Sequence, residues 1–152
     1  MISYRVEEYE DILEELLELY PLHYNEVAMD KKEIPLDPDI DAYIALQNTG
    51  VLHILTVRDD EKLVGYHKSF ICNHIHFNST KVAYTDLYFL LPEYRKGFIG
   101  INLFKILEGK MKELGVKKIY TMTKVKKDNS ALFNRLGYTK AEYAYTKYIG
   151  EE

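Results

Sequence analysis

The chain has 152 residues, 47% of them hydrophobic and 29% charged, which suits one domain, 1–152, with a sizeable core and excludes disorder as the starting expectation. Net charge is only −4, yet residues 1–41 carry 13 acidic against 3 basic side chains, and residues 95–127 carry 10 basic against 2 acidic. An acidic total without a matching motif argues against nucleic acid as a partner; the asymmetry suits either solvated faces of separate helices or two ligands of opposite sign, a polyanion and a cation.

Ile2–Val6 alternates like a short strand, and Met1–Arg5 lacks the charged head and apolar stretch of a secretory leader. Ile12, Leu13, Leu16, Leu17 and Tyr20 fall at helical spacing, with Glu14, Glu15 and Glu18 on the other face; Pro21 is expected to end that helix or begin its successor. Asn25–Asp39, with Pro35 and Pro38 among charges, reads as a long loop of the kind that shapes a binding site. Asp39–Asn48 reads as a second helix stopped by Gly50.

Val51–Val57 and Leu63–Cys72 form a hairpin around the polar turn Arg58–Lys62. The first of these runs is far too short to cross a bilayer. Cys72 is the only cysteine, which excludes an internal disulfide and suits a reducing, cytoplasmic setting; its apolar surroundings predict a buried structural thiol. Val82–Leu91 is a further strand closed by Pro92. From Gly100, Leu103, Phe104, Ile106, Leu107, Met111 and Leu114 outline an amphipathic helix ended by Gly115. Val116–Lys124 is a strand, Asp128 caps a short helix through Leu136 with Gly137 as its stop, and Tyr138–Ile149 supplies one or two final strands. These tyrosine-rich strands are a candidate contact for a homodimer. The order β-α-α-β-β-β-α-β-α-β predicts an α/β fold, a mixed sheet with helices on its faces and one right-handed β-α-β unit, Val82–Lys124.

The segment Leu90–Gly100 joins strand to helix through a glycine-containing turn. Unpartnered N–H groups and the helix dipole make such a turn an anion site, and Arg95 and Lys96 add full charges. Glycine lets the backbone approach phosphates closely. Many turns of this kind only connect two elements.

Pro92-Glu93-Tyr94-Arg95, the turn, Ile99-Gly100 and the amphipathic helix together resemble the acetyl-CoA-binding segment of the GCN5-related N-acetyltransferases. Arg95 and Gly100 match the first and last positions of that family's Arg/Gln-x-x-Gly-x-Gly/Ala pattern; Phe98 stands at the middle glycine, and Gly97 lies one residue earlier. Asn129–Tyr138 resembles the family's helix beside the pantetheine arm, with Phe133 at the place of a tyrosine that often protonates the departing thiolate. Thr56–Tyr66 looks like the family's β2–β3 hairpin. Leu22–Val27 and Tyr88–Arg95 look most like small phage-encoded members. The resemblance implies a mostly antiparallel central sheet, with helices on both faces and a splayed parallel pair, Leu87–Leu91 against Ile119–Lys124. It also implies coenzyme A held by Leu90, Arg95, Lys96, Gly97, Phe98, Ile99, Gly100, Asn129 and Phe133, and direct acetyl transfer from acetyl-CoA to a small-molecule or peptide amine. The acidic N-terminal part would receive a cationic amine. Because phenylalanine cannot donate a proton, a module that binds acyl-CoA or another protein without turnover is the alternative; a non-acetyl transferase is a third.

Three side chains are candidates for the acceptor's proton. Asp86 interrupts the apolar strand Ala83–Phe89 and would anchor or deprotonate an amine, or else faces solvent or pairs with a lysine. His23 and Glu26 stand at i and i+3, one face of a helix, as catalytic candidates or as an ordinary surface pair. His74 and His76 alternate onto one strand face, but two histidines without a third ligand predict no metal site. Tyr84 and Tyr88 lie near the place for a replacement acid.

Overall fold

The computed structural model describes residues 1–151. Its strands are β1 (Ile2–Val6), β2 (Leu52–Asp59), β3 (Lys62–His74), β4 (Phe77–Leu90) and β5 (Lys118–Tyr120), and its helices α1 (Leu13–Val27), α2 (Ile40–Asn48), α3 (Ile99–Glu113) and α4 (Ser130–Arg135). The strands form one sheet in the order β1-β2-β3-β4-β5. The first four pair antiparallel, and β4 and β5 pair parallel. This is the mixed α/β fold that the element order predicts.

Residues 52–58 of β2 are buried without alternation, so both faces of the sheet are covered. Leu16, Leu19 and Tyr20 of α1 and Leu103, Phe104, Leu107 and Met111 of α3 belong to one hydrophobic core with Ile54, Val57, Tyr66 and Phe89 of the sheet. Fully burying side chains of this size contributes roughly 1.5–3 kcal/mol each before chain entropy is counted.

Several boundaries differ from expectation. Helix α1 runs through Pro21 to Val27; proline removes one backbone bond, and burial of Leu19, Tyr20 and His23 on either side holds the helix across the gap. The hairpin turn contracts to Asp60-Glu61, with Asp60 at φ 52°. Arg58 therefore lies within β2, buried, donating through Nε to Glu7 (2.8 Å) and through Nη2 to Glu15 (2.8 Å). Strands β3 and β4 extend into a hairpin arm around Ile75-His76. The polar run Phe77–Lys81 shows no apolar alternation because that arm stands clear of the core.

Cys72 lies on this arm and is exposed, not buried. His76 sits in the turn rather than on a strand face with His74, and its N–H donates to His74 Nδ1 at 3.1 Å. Tyr138–Ile149 forms no strand, with Tyr143 and Tyr145 largely exposed. An aromatic alternation makes a strand only where a ladder receives it, and β5 is three residues long. The homodimer contact expected there thus lacks its strand.

Candidate active site

The parallel pair runs from Val82–Lys118 to Tyr84–Tyr120 and stops. Two residues on, the β3–β4 register shifts: Lys68 faces Leu87 and Ser69 faces Thr85, leaving Asp86 as the extra residue of a bulge. A bulge bends its strand and re-aims the side chains around it, so β4 leaves β5 at this point. Beyond it Tyr88 bridges the gap by side chain, its hydroxyl donating to the Met122 carbonyl (2.9 Å) and accepting from Asn129 Nδ2 (3.1 Å). The splayed pair that the family resemblance implies is present: pairing ends at Tyr84–Tyr120, so Leu87–Leu91 lies wholly in the diverging part of β4.

Leu90 ends β4 opposite Gly65. The Leu91 N–H donates to the Val64 carbonyl, so by antiparallel alternation Leu90's own N–H and C=O point away from β3, toward the gap. A Cβ at Gly65 would lie 2.8 Å from the Phe89 carbonyl oxygen and 2.7 Å from Leu90 Cδ1. Gly65 is what lets the end of β4 sit so close.

The turn that follows has a geometry that could cradle an anion. Gly97 adopts φ 64°, a left-handed conformation that glycine takes without strain. A Cβ placed on Gly97 or Gly100 meets nothing within 4 Å, so the space above both is open. Helix α3 begins without a side-chain cap and without an acidic residue in its first turn, which leaves its leading N–H groups and the positive end of its dipole for a ligand. These features fit a pyrophosphate.

Arg95 is placed differently from expectation. Its Nε donates to the Leu90 carbonyl (2.7 Å) and its Nη2 to Glu26 (2.7 Å), while the guanidinium covers the Phe89 ring. The side chain folds under the loop and ties it to α1 and β4. Lys96 and Phe98 are exposed, and the guanidinium of Arg135, from α4, lies 5.6 Å from the centre of the Phe98 ring. Phe133 is buried against Phe104 and Tyr88.

On the other side of β4 is a cavity of about 230 Å³ between α1, the loop before α2, and the sheet. Tyr20, His23, Tyr43, Lys68, Leu87 and Lys124 contribute to its wall. Lys68 is wholly enclosed, its ammonium 3.0 Å from Tyr20 Oη, 3.4 Å from Asp86 Oδ2 and 3.8 Å from the centre of the Tyr43 ring. Burial lowers it to about 8, and the Asp86 charge opposes that fall. Tyr43 donates to Asp86 at 2.6 Å. Asp86 therefore pairs with a lysine, one of the alternatives the sequence left open. A shallower groove on the far side of Tyr43 is lined by Ala42, Leu46 and Phe70.

His23 and Glu26 do lie on a helix, yet neither is a surface pair residue. His23 is buried, its Nδ1 2.9 Å from Tyr66 Oη and its ring stacked on Phe89. Burial, with Lys68, Arg95 and Lys124 nearby, lowers it to about 4 against the opposing pull of Glu26. It is neutral at pH 7 and a weak base. Glu26 is paired to Arg95. The structure thus puts His23 in the cavity wall, Asp86 behind that wall against Lys68 and Tyr43, and Glu26 on Arg95 of the turn before α3. Lys68 escaped the sequence reading, although it is a lone charge within the apolar strand Val64–Ile71, the same signal that marked Asp86. Arg135 carried no local signal at all.

Among the described residues no group of three His, Cys, Asp or Glu side chains is placed to hold a metal, and no helix is long and apolar enough to cross a membrane. Curated proteins gave no match. Among solved structures, ribosomal-protein-alanine N-acetyltransferase from Brucella melitensis biovar Abortus 2308 superposes with a TM-score of 0.73 at 16% identity, over 99% of this chain and 100% of that one. A predicted acetyltransferase with acetyl-CoA from Clostridium acetobutylicum gives 0.71 at 13% identity, over 97% and 96%. An aminoglycoside acetyltransferase from an uncultured soil metagenomic sample, in complex with sisomicin, gives 0.72 at 16%, over 99% and 95%. At such identities the likeness carries the fold alone. The family model of the acetyltransferase (GNAT) family matches residues 9–138. The chain belongs to the acetyltransferase (GNAT) family, whose members take their acetyl group from acetyl-CoA.

Proposed function

We propose that the single domain 1–152 transfers an acetyl group to a small primary amine seated in the cavity beside β4. The observation that supports this most is the divergence of β4 from β5 at the Asp86 bulge, with an open glycine cradle beside it and a half-open cavity behind it. Acetyl-CoA supplies an activated thioester carbonyl, from which the amine nitrogen takes the acetyl group as the carbon–sulfur bond breaks.

The chain's own residues supply placement and proton control. Backbone amides of the Gly97–Gly100 turn and first helical turn hold the pyrophosphate, with Lys96 and Arg135 at its edge. Arg95 and Glu26 are positioning residues that fix the turn to the end of β4. The outward main chain of Leu90 lines the pantetheine path, with Asn129 on the opposite wall and Phe133 packed behind. Tyr88 takes over the proton donation that Phe133 cannot make: its hydroxyl reaches into the gap, protonated at neutral pH as any tyrosine is, and burial raises it further.

Lys68 indicates what this site does to a primary amine. Enclosure drives it down to about 8 despite the neighbouring Asp86, and desolvation acts on an entering ammonium in the same sense. The acceptor then sheds its proton to solvent and attacks as the free amine; Asp86 is held by Lys68 and Tyr43, and His23, lowered to about 4, is too weak a base to take it.

A rise in melting temperature with coenzyme A, together with thiol release on some member of an amine panel, is the expected result. Unchanged melting at saturating coenzyme A would overturn it, and binding without thiol release would favour the module that binds acyl-CoA without turnover. A reducing, cytoplasmic setting belongs to the same proposal, supported by the single exposed thiol of Cys72, as does the likeness of Leu22–Val27 to small phage-encoded members.

A further inference from the structure

The acceptor cavity has an unexpected charge. No aspartate or glutamate lines its wall; its charged lining residues are Lys68 and Lys124. The carboxylates that adjoin it are already engaged. Asp86 sits between Lys68 and the Tyr43 hydroxyl, and Glu26 is bound to Arg95. Asp37 and Asp39 flank the lining residue Pro38 without joining the wall, and Asp39 is the cap of α2, accepting from the Ala42 N–H.

The 13 acidic residues of the first 41 therefore do not form a receptor for a cation at this cavity. Glu7 and Glu15 are bound to Arg58, and Glu10, Asp11, Glu14 and Glu18 face solvent from the outer side of α1 and its approach. Lys124 comes from the segment just past β5 and is exposed, so it forms the solvent side of the wall, at the mouth. Lys68, at the rear, is enclosed and keeps Asp86 occupied. A dication would meet Lys124 on entry and find no unpaired carboxylate behind it. Like charges set side by side at the mouth disfavour its entry. The volume, about 230 Å³, is below the ~300 Å³ at which drug-sized sites begin.

Resting on the acetyl-transfer proposal above, we infer that the acceptor is a small amine that also carries an anionic group, a carboxylate or a phosphate, held by Lys124 at the cavity mouth. Lys124 is thus a specificity residue. The amine end points past Leu87 toward the gap between β4 and β5, and the tyrosine-lined wall covers the carbon chain between the two ends.

Matched pairs test this charge rule: β-alanine against its amide, O-phosphoethanolamine against ethanolamine, and spermidine and sisomicin as polycations. Each is titrated calorimetrically into the protein alone, and kcat/KM is measured with acetyl-CoA. At least one anionic member should bind ten-fold or more tighter than its neutralised partner, and which pair responds separates carboxylate from phosphate. Lys124→Glu should erase that preference and raise affinity for spermidine, with melting temperature unchanged. Equal binding within both pairs, or preference for spermidine or sisomicin by the unmodified protein, would overturn the inference. If coenzyme A fails to bind, the acetyl-transfer proposal falls, while the calorimetric comparison of the amines still decides the charge rule.

Discussion

The two halves of this site are built on different plans. The proposed cofactor side is local: one strand end, one turn and one helix start, eleven consecutive residues from Leu90 to Gly100, form the cradle, and the groups proposed to bind there are backbone amides. The proposed acceptor side draws Tyr20 and His23 from α1, Tyr43 from α2, Lys68 from β3, Leu87 from β4 and Lys124 from beyond β5, and its character comes from side chains. A ligand shared across many acceptors can be held by main chain that no substitution removes. A ligand that distinguishes one enzyme from its relatives needs side chains, and these are free to differ while the fold is kept.

If the cradle works through backbone and dipole, a negative side chain in it should end binding without harming the fold. Gly100→Glu places a carboxylate in the first turn of α3, where it favours the helix and repels a pyrophosphate. Affinity for coenzyme A should fall on the order of 100-fold or more, measured by calorimetry, with melting temperature equal or higher. A parallel fall in stability would mean that the glycine served packing.

The next largest effect should separate chemistry from binding. Tyr88→Phe should lower kcat about 100-fold, within the range for a general acid, while affinity for coenzyme A changes little. Unchanged turnover would remove Tyr88 from the mechanism and return the donor's identity to the cavity side.

Gly65→Ala tests the seam between the two halves. The added methyl meets the Phe89 carbonyl oxygen and Leu90, so the end of β4 must move, at a cost of about 2 kcal/mol in denaturant unfolding. Coenzyme A affinity should weaken with it, because the same movement shifts Leu90 and Arg95.

The smallest signal is a pH slope. Lys68 is lowered to about 8 from 10.5, so between those values the unfolded chain binds more protons than the folded one. Stability then rises with pH, by at most about 1.4 kcal/mol per unit. The difference in unfolding free energy between the wild type and Lys68→Met, followed from about pH 7.5 to 9, where free tyrosine is still about nine-tenths protonated, should grow with pH and so subtract the slopes that tyrosines and the N-terminus give both proteins. Parallel curves would mean that water reaches Lys68.

The sequence by itself determined the elements with an internal pattern: the amphipathic face of α3, the stops at Gly50, Gly115 and Gly137, and the glycine turn behind Arg95. Helical periodicity, left-handed turns and a strand-to-helix cradle are set within a dozen residues, so they can be read there. Only the tertiary structure decided where charges ended. Asp86 looked like a receptor for a cation until β3 brought Lys68 within 3.4 Å. Arg95 looked free for phosphate until α1 brought Glu26 to it, and Cys72 looked buried until β3 and β4 carried it clear of the core. Charge pairing and burial depend on which distant segments the sheet register sets side by side, and that register is a property of the whole chain. The −10 balance of residues 1–41 did not become a cationic pocket for the same reason, because its carboxylates face solvent or already hold Arg58 and Arg95.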